Sequence, residues 1–173
     1  MLGRRLYALA FLEHGTRHLH ITGLASHPTP EWTTQQARNL AADLGTRMES
    51  LRFLLRDRDG KYSQVFDAVL RADDLRIIES TPQAPQMNAH CEQVIGTIRR
   101  EALDHILITG ESHARQVLTT YEDHCNRHRP HQAHDQLPPE TQLHPAAVHD
   151  LDTHRPLRTR VLGGILNESR HIA

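Results

Sequence analysis

The sequence predicts an α/β protein in which a mixed sheet is covered by helices. Three observations carry this. Short apolar runs of strand length (residues 6–12, 51–55 and 75–78) recur between segments of helical period. The elements read strand, strand, helix, strand, helix, strand, helix, helix. No glycine-rich loop follows any strand, which sets aside kinase and dehydrogenase folds.

Residues 6–12 are apolar at every position, as in a strand buried on both faces. Glu13-His14-Gly15-Thr16 is a turn, and residues 17–23 alternate with Leu19 and Ile21 on one face. Together they read as a hairpin, followed by a loop over 24–28. Thr29-Pro30-Glu31 is a helix start: a capping hydroxyl, a proline at the first position and an acid in the first turn. Trp32, Ala37, Leu40, Ala41 and Leu44 form that helix's stripe, and Gly45 stops it. Residues 51–55 are a second buried strand, ending in the polar turn Arg56-Asp57-Arg58-Asp59-Gly60. Phe66, Val69 and Leu70 mark a short helix, and 75–78 a short strand. After a loop at 80–86, Cys91, Val94, Ile95, Ile98, Ala102 and Ile106 recur at helical spacing. Ala114, Val117, Leu118, Tyr121 and Cys125 do the same, until Pro130 breaks the helix. Trp32, Phe53, Phe66 and Cys91 are expected to pack in the core. Beyond residue 135 the chain reads as a polar tail, 136–173.

Composition removes several function classes. The 173 residues suit one domain and a tail. With 20 basic and 21 acidic side chains, the net charge of -1 speaks against a protein that coats nucleic acid by bulk charge. It leaves a local basic groove open. No apolar run approaches the roughly 18 residues of a membrane span, and no signal peptide is read at the start. Two cysteines, Cys91 and Cys125, fit a reducing cytoplasm.

Carboxylates carry the chemistry. Asp57 lies just past the carboxyl end of a strand, the edge where open α/β sheets bind ligands. Glu92 lies 35 positions later, near the start of a helix, and Arg99 is seven residues further on the same face. A carboxylate at a strand end and one at a helix start can converge on a divalent cation such as Mg²⁺ or Mn²⁺. Two such ions clamp the attacking and leaving oxygens of a phosphoryl displacement, and that needs about three carboxylates. His124, Cys125, His128, His131 and His134 are zinc-type residues, but Pro130 keeps the later ones off a shared helix face.

Three segments in order resemble a known family: Arg56-Asp57-Arg58-Asp59-Gly60-Lys61-Tyr62, then Pro85-Gln86-Met87-Asn88-Ala89-His90-Cys91-Glu92, then Asn126-Arg127-His128-Arg129-Pro130-His131. They look like the catalytic core of retroviral-integrase-like insertion-sequence transposases, the DDE enzymes of ribonuclease-H-like fold. Leu162-Gly163-Gly164 also resembles the end of some members. The resemblance implies a ribonuclease-H-like mixed sheet flanked by helices over residues 1–135. It implies metal-dependent phosphodiester cleavage and DNA strand transfer, with Asp57 and Glu92 as catalytic metal ligands. Lys61, Arg99, Arg100, Arg129 and His131 become candidates for DNA contact. DNA, as transposon ends and target, is the implied partner, together with further copies of the chain or a full-length transposase.

Departures from the pattern shape the expectation. The family's first aspartate precedes a strand like 6–12, whereas the first aspartate here is Asp43, inside a helix. Residues 1–5 look like the middle of the family's first strand and its turn. The chain therefore reads as an N-terminally truncated core with its first strand incomplete or missing, and the helix-turn-helix region of such transposases is not seen. Asp59 stands where glycine is common and Cys125 where tyrosine is usual. The expected function is a DNA integration and transposition core of impaired activity. The alternative is a non-catalytic remnant that binds DNA or transposase subunits, and a third reading is an unrelated ribonuclease-H-like nuclease. An open ladder edge along 6–12 predicts self-association.

Overall fold

The computed structural model describes residues 5–81, 89–131, 136–142 and 155–172. The chain forms two compact units, 1–11 with 20–93, and 12–19 with 94–173. Among the described residues the strands make three two-stranded sheets, with helices between them in sequence. This is an α/β fold.

In the first unit β1 (Tyr7–Leu12) pairs with β2 (Leu19–Ala25). The connection is short, so the pair is an antiparallel hairpin. Within the second unit its tip is closed by Glu13 N–H on His18 O at 2.9 Å and Arg17 N–H on Glu13 O at 2.8 Å. The expectation of a strand buried on both faces is corrected: only Leu9 of β1 is buried, and Tyr7 is exposed. Ala8 and Ala10 offer too little apolar surface on their face for covering it to gain much. In β2 the buried residues are Leu19, Gly23 and Leu24, and the strand takes in the first two residues, Leu24 and Ala25, of the segment expected as loop.

Helix α1 (Pro30–Leu44) starts and stops where its signals stand. The Thr29 hydroxyl accepts Trp32 N–H at 3.2 Å, and Gly45 takes φ 52° to turn the chain into a short 3₁₀ segment, Gly45–Ser50. Strand β3 (Phe53–Arg56) then leads through the 57–63 turn into α2 (Gln64–Arg71), capped by Ser63 Oγ on Phe66 N–H at 3.2 Å. Strand β4 (Arg76–Glu79) lies parallel to β3, in the register Phe53↔Arg76 to Arg56↔Glu79.

One core organises this unit. Ala37, Leu40, Leu44 and Met48 from α1 and its extension meet Phe66, Leu70 and Leu75, with Leu54 and Ile77 packed against them. Fully burying each large apolar side chain gains about 1.5–3 kcal/mol. Only one face of the β3–β4 pair is covered in this way. Phe53, Leu55 and Ile78 alternate onto the other face and are exposed, Phe53 at 55%. The expectations that 51–55 is fully buried and that Phe53 is core are corrected accordingly. Trp32 is half-buried and Phe66 is core.

Helix α3 (Ala89–Glu101) begins in the first unit and ends in the second. Its buried residues are Thr97 and Ile98, while Cys91 and Ile95 are exposed, which corrects the packing role expected of Cys91. In the second unit α4 (Glu111–Arg127) buries Ala114, Val117, Leu118, Tyr121 and Cys125, the stripe its spacing predicted. Asn126 follows on that face. Its amide accepts Leu19 N–H at 2.9 Å and donates to Leu19 O at 2.8 Å, as a neighbouring strand would.

The stretch expected as polar tail contains a hairpin, β5 (Arg155–Val161) and β6 (Leu166–Ile172), paired antiparallel from Arg155↔Ile172 to Val161↔Leu166. Gly163 and Gly164, at φ 70° and 95°, make its turn. Arginines at alternate positions hid this strand pattern from a hydropathy reading. Glu168 of β6 meets two histidines at the end of α4, His124 Nδ1 at 3.2 Å and, from the capping residue just past the helix, His128 Nε2 at 3.4 Å. Residues 1–4, part of the 80–86 loop, Pro85 to Asn88, and His134 lie outside the described residues.

Candidate functional site

The site grows from the end of β3. Asp57 follows the last residue of that strand and is exposed. Its Oδ1 accepts Asp59 N–H at 3.1 Å, an Asx turn that reverses the chain. Asp59 repeats the device: Oδ1 accepts Lys61 N–H at 3.0 Å, and Oδ2 takes Lys61 Nζ at 2.7 Å. That hydrogen bond holds the Asp59 carboxyl below its usual range and the Lys61 ammonium above its own. Lys61 Nζ also lies 5.9 Å over the Tyr7 ring. Lys61 O accepts the Thr33 hydroxyl at 2.6 Å, so α1 pins the turn from below.

Glu92 is exposed in the first turn of α3, where the helix dipole favours an anion. Tyr62 ends the turn that carries Asp57, its N–H on Asp59 O at 3.0 Å. Desolvation pushes the Tyr62 hydroxyl up to about 12, and the charges of Asp57, Asp59 and Cys91 add to the rise against the opposing Arg56. Cys91 is the residue before Glu92. Desolvation and the adjacent Glu92 charge raise the Cys91 thiol in turn.

That shift predicts a pH dependence. A phenol held protonated by the fold stabilises it fully below the unfolded value near 10, and that contribution is lost as pH rises through about 12. The denaturant midpoint of the unaltered chain is expected to fall more steeply between pH 10 and 12 than that of Tyr62→Phe. Parallel pH profiles would contradict the shift.

The other candidates for DNA contact lie in the second unit. Arg99 and Arg100 are exposed in the last turn of α3, with Arg100 Nη2 3.4 Å from Thr97 Oγ1. Arg129 is engaged internally: it donates to Glu101 Oε1 at 2.8 Å and to the Tyr121 hydroxyl at 3.1 Å, while that hydroxyl donates to Glu101 Oε2 at 2.8 Å. Burial and this bond to Glu101 push the Tyr121 hydroxyl far up. His131 is half-buried and bridges Leu137 through its backbone N–H at 3.2 Å.

Asp57 and Glu92 offer the hard oxygen donors that Mg²⁺ or Mn²⁺ takes. Among the described residues no three His, Cys, Asp or Glu side chains group closely enough to hold a metal ion. These two carboxylates fit the cation in kind. Likewise, no described helix is long and apolar enough to cross a membrane.

Sequence reasoning missed the support beneath Asp57. The Arg56 side chain is only 8% exposed, and its guanidinium grips Asp67 with two bonds of 2.9 Å and Glu79 with one of 2.7 Å. The available signal was Asp67 itself, an acid on the apolar side of α2 beside Phe66, which demanded a buried cation.

Residues 73–139 match the family model described as integrase core domain, a span that holds Glu92, Arg99, Arg100, Arg129 and His131 and excludes Asp57 and Lys61. The chain is 32% identical over 77 residues to the insertion element IS476 uncharacterized 39.2 kDa protein of Xanthomonas euvesicatoria. That match covers 44% of this chain and 22% of the relative, so the chain spans only about a fifth of that protein. In fold it is similar to a chain of the simian T-cell lymphotropic virus intasome, seen by cryo-electron microscopy in complex with PP2A regulatory subunit B56 gamma. The TM-score is 0.63 at 11% identity, covering 98% of this chain and 65% of that one. Its middle part is thus related in sequence to integrase-core and insertion-element proteins, and nearly its whole length has the fold of an intasome chain.

Proposed function

We propose that the chain is the catalytic-core portion of a DDE-type transposase or integrase, carried on residues 1–135. Asp57 and Glu92 are its divalent-metal ligands. The observation behind this is an exposed Asp57 just past the end of β3 followed by an exposed Glu92 in the first turn of α3. Bound divalent ions would supply charge neutralisation at a DNA phosphodiester. Lys61 in the first unit, and separately Arg99 and Arg100 in the second, are cations for DNA phosphates. Arg129 and His131 join them less directly, Arg129 by way of the Glu101–Tyr121 network. DNA ends and target are the proposed partners, with assembly into homo-oligomers or onto full-length transposase.

A Mn²⁺ titration followed by electron paramagnetic resonance tests the ligands. Saturable binding is expected, weakened by about tenfold or more in Asp57→Asn and in Glu92→Gln. Equal binding in all three proteins would refute the assignment. With two of about three carboxylates in place, the 173-residue chain is expected to show little or no strand transfer with Mg²⁺. Robust Mg²⁺-dependent DNA cleavage by it would overturn that expectation. The lack of a three-donor group among the described residues favours a second reading, a non-catalytic module that binds DNA or transposase subunits. DNA association without any Mn²⁺ binding would select it.

A further inference from the structure

We propose that Arg56 is the positioning residue of the candidate metal site: its buried guanidinium fixes the backbone of Asp57 and so aims the Asp57 carboxylate. The inference rests on the metal-ligand reading of Asp57 and adds to it a residue that does not itself touch the metal.

The geometry uses almost every donor Arg56 has. Nε donates to Asp67 Oδ1 and Nη2 to Asp67 Oδ2, both at 2.9 Å, the two-pronged fit of a guanidinium to a carboxylate. Nη2 also donates to Glu79 Oε1 at 2.7 Å, and Nη1 to the carbonyl oxygen of Asp57 at 2.9 Å. Four of the five N–H groups of an arginine are thereby engaged. The guanidinium carbon lies 5.7 Å from the centre of the Tyr62 ring. Side chains of Arg56 and Asp67 are each only 8% exposed. One buried group thus ties together α2, the end of β4 and both ends of the Asp57–Tyr62 turn.

Two consequences follow for Asp57. The bond to its carbonyl sets the peptide plane, and the Asp59 N–H takes Oδ1, so the side chain is held at both ends. Among the described residues no hydrogen bond reaches Oδ2. The second consequence is electrostatic. A bare guanidinium next to a metal-binding carboxylate would repel a divalent cation. Asp67 and Glu79 place two negative charges directly on Arg56, making it a rigid hydrogen-bond donor with its charge offset. The remaining charges on this cluster are exposed: Arg71, 3.6 Å from Asp67, and Arg58, 3.9 Å from Glu79. Simple packing accounts for a buried Arg–Asp pair. It does not account for the pair's bond to the carbonyl of the exposed acid next door.

The test uses the full chain and three variants. Arg56→Met alone strands the buried Asp67 charge and is prone to unfold. The double variant Arg56→Met with Asp67→Leu replaces the pair by apolar groups of similar size, which proteins commonly tolerate. Arg56→Lys keeps the charge but lacks the fork. Mn²⁺ affinity is expected to fall about tenfold in the folded double variant, as for other residues that orient a metal ligand, with partial recovery in Arg56→Lys. A folded double variant that binds Mn²⁺ like the unaltered chain overturns the proposal. The second readout needs no metal: amide exchange at Asp59, whose N–H reports where Oδ1 points, is expected to quicken about tenfold in the double variant. Unchanged exchange also overturns it. If the unaltered chain shows no Mn²⁺ binding sensitive to Asp57→Asn, the metal reading fails by itself, and the Asp59 exchange rate still decides whether Arg56 positions Asp57.

Discussion

Phe66→Ala is expected to destabilise the protein by about 3–5 kcal/mol, a large share of the 5–15 kcal/mol typical of a folded domain. Phe66 is fully buried among Leu40, Leu44, Met48, Leu70 and Leu75, and it is the buried aromatic of α1 and α2. Trp32 is only half-buried. Truncation opens a cavity that the two helices close only in part. Phe53 supplies the control. It is 55% exposed, on the open face of the β3–β4 pair with Leu55 and Ile78. Phe53→Ala is expected to change stability by no more than about 0.5 kcal/mol and to raise solubility, because that face is an apolar patch. Urea unfolding followed by circular dichroism measures both. Equal losses in the two variants would mean that the outer face of β3 is covered in solution.

The effect should reach the site. The Phe66 ring lies 5.0 Å from that of Tyr62, and Tyr62 closes the turn that carries Asp57. Core and turn are coupled by direct contact, and the turn is the exposed part. A loosened core is therefore expected to be felt first as weaker Mn²⁺ binding, before the helices melt.

The contrast between the two phenylalanines also shows where sequence reasoning succeeds. The start and stop of α1 were readable because local chemistry decides them: Thr29 caps, Pro30 opens and Gly45 closes. The α4 stripe was readable because a period of 3.6 leaves a signature whatever it packs against. Strand burial was not readable in this way. An apolar run such as 51–55 states that it tolerates burial, and only the layers around it decide whether both faces are covered. The terminal hairpin was missed because Arg158, Arg160 and Glu168 occupy strand positions whose pairing lies in a partner strand rather than in local propensity. In the candidate site, the order of Asp57 and Glu92 was visible along the chain. Arg56 was not, since its role depends on Asp67 and Glu79 arriving from two other elements.

Asn126 makes the same point in the second unit, and it carries the other large prediction. The Leu19 peptide is buried at the start of β2, and both its polar groups pair with the one Asn126 side chain. Leu19 is fully buried and Asn126 is 5% exposed, so water is a poor substitute. Asn126→Ala strands a donor and an acceptor together, at about 1–3 kcal/mol each, for an expected loss of about 2–5 kcal/mol. Asn126→Asp discriminates the two bonds. A carboxylate still accepts from Leu19 N–H but cannot donate to Leu19 O, and it sets its charge against that carbonyl. Its midpoint is expected to stay low at pH 7 and to recover in part on acidification, when the protonated acid regains a donor. Asn126→Leu is expected to do no better than alanine, because volume does not replace either bond. If Asn126→Leu matched the unaltered chain in denaturant midpoint, the amide would be acting by packing alone, and the pairing with Leu19 would carry none of the stability assigned to it.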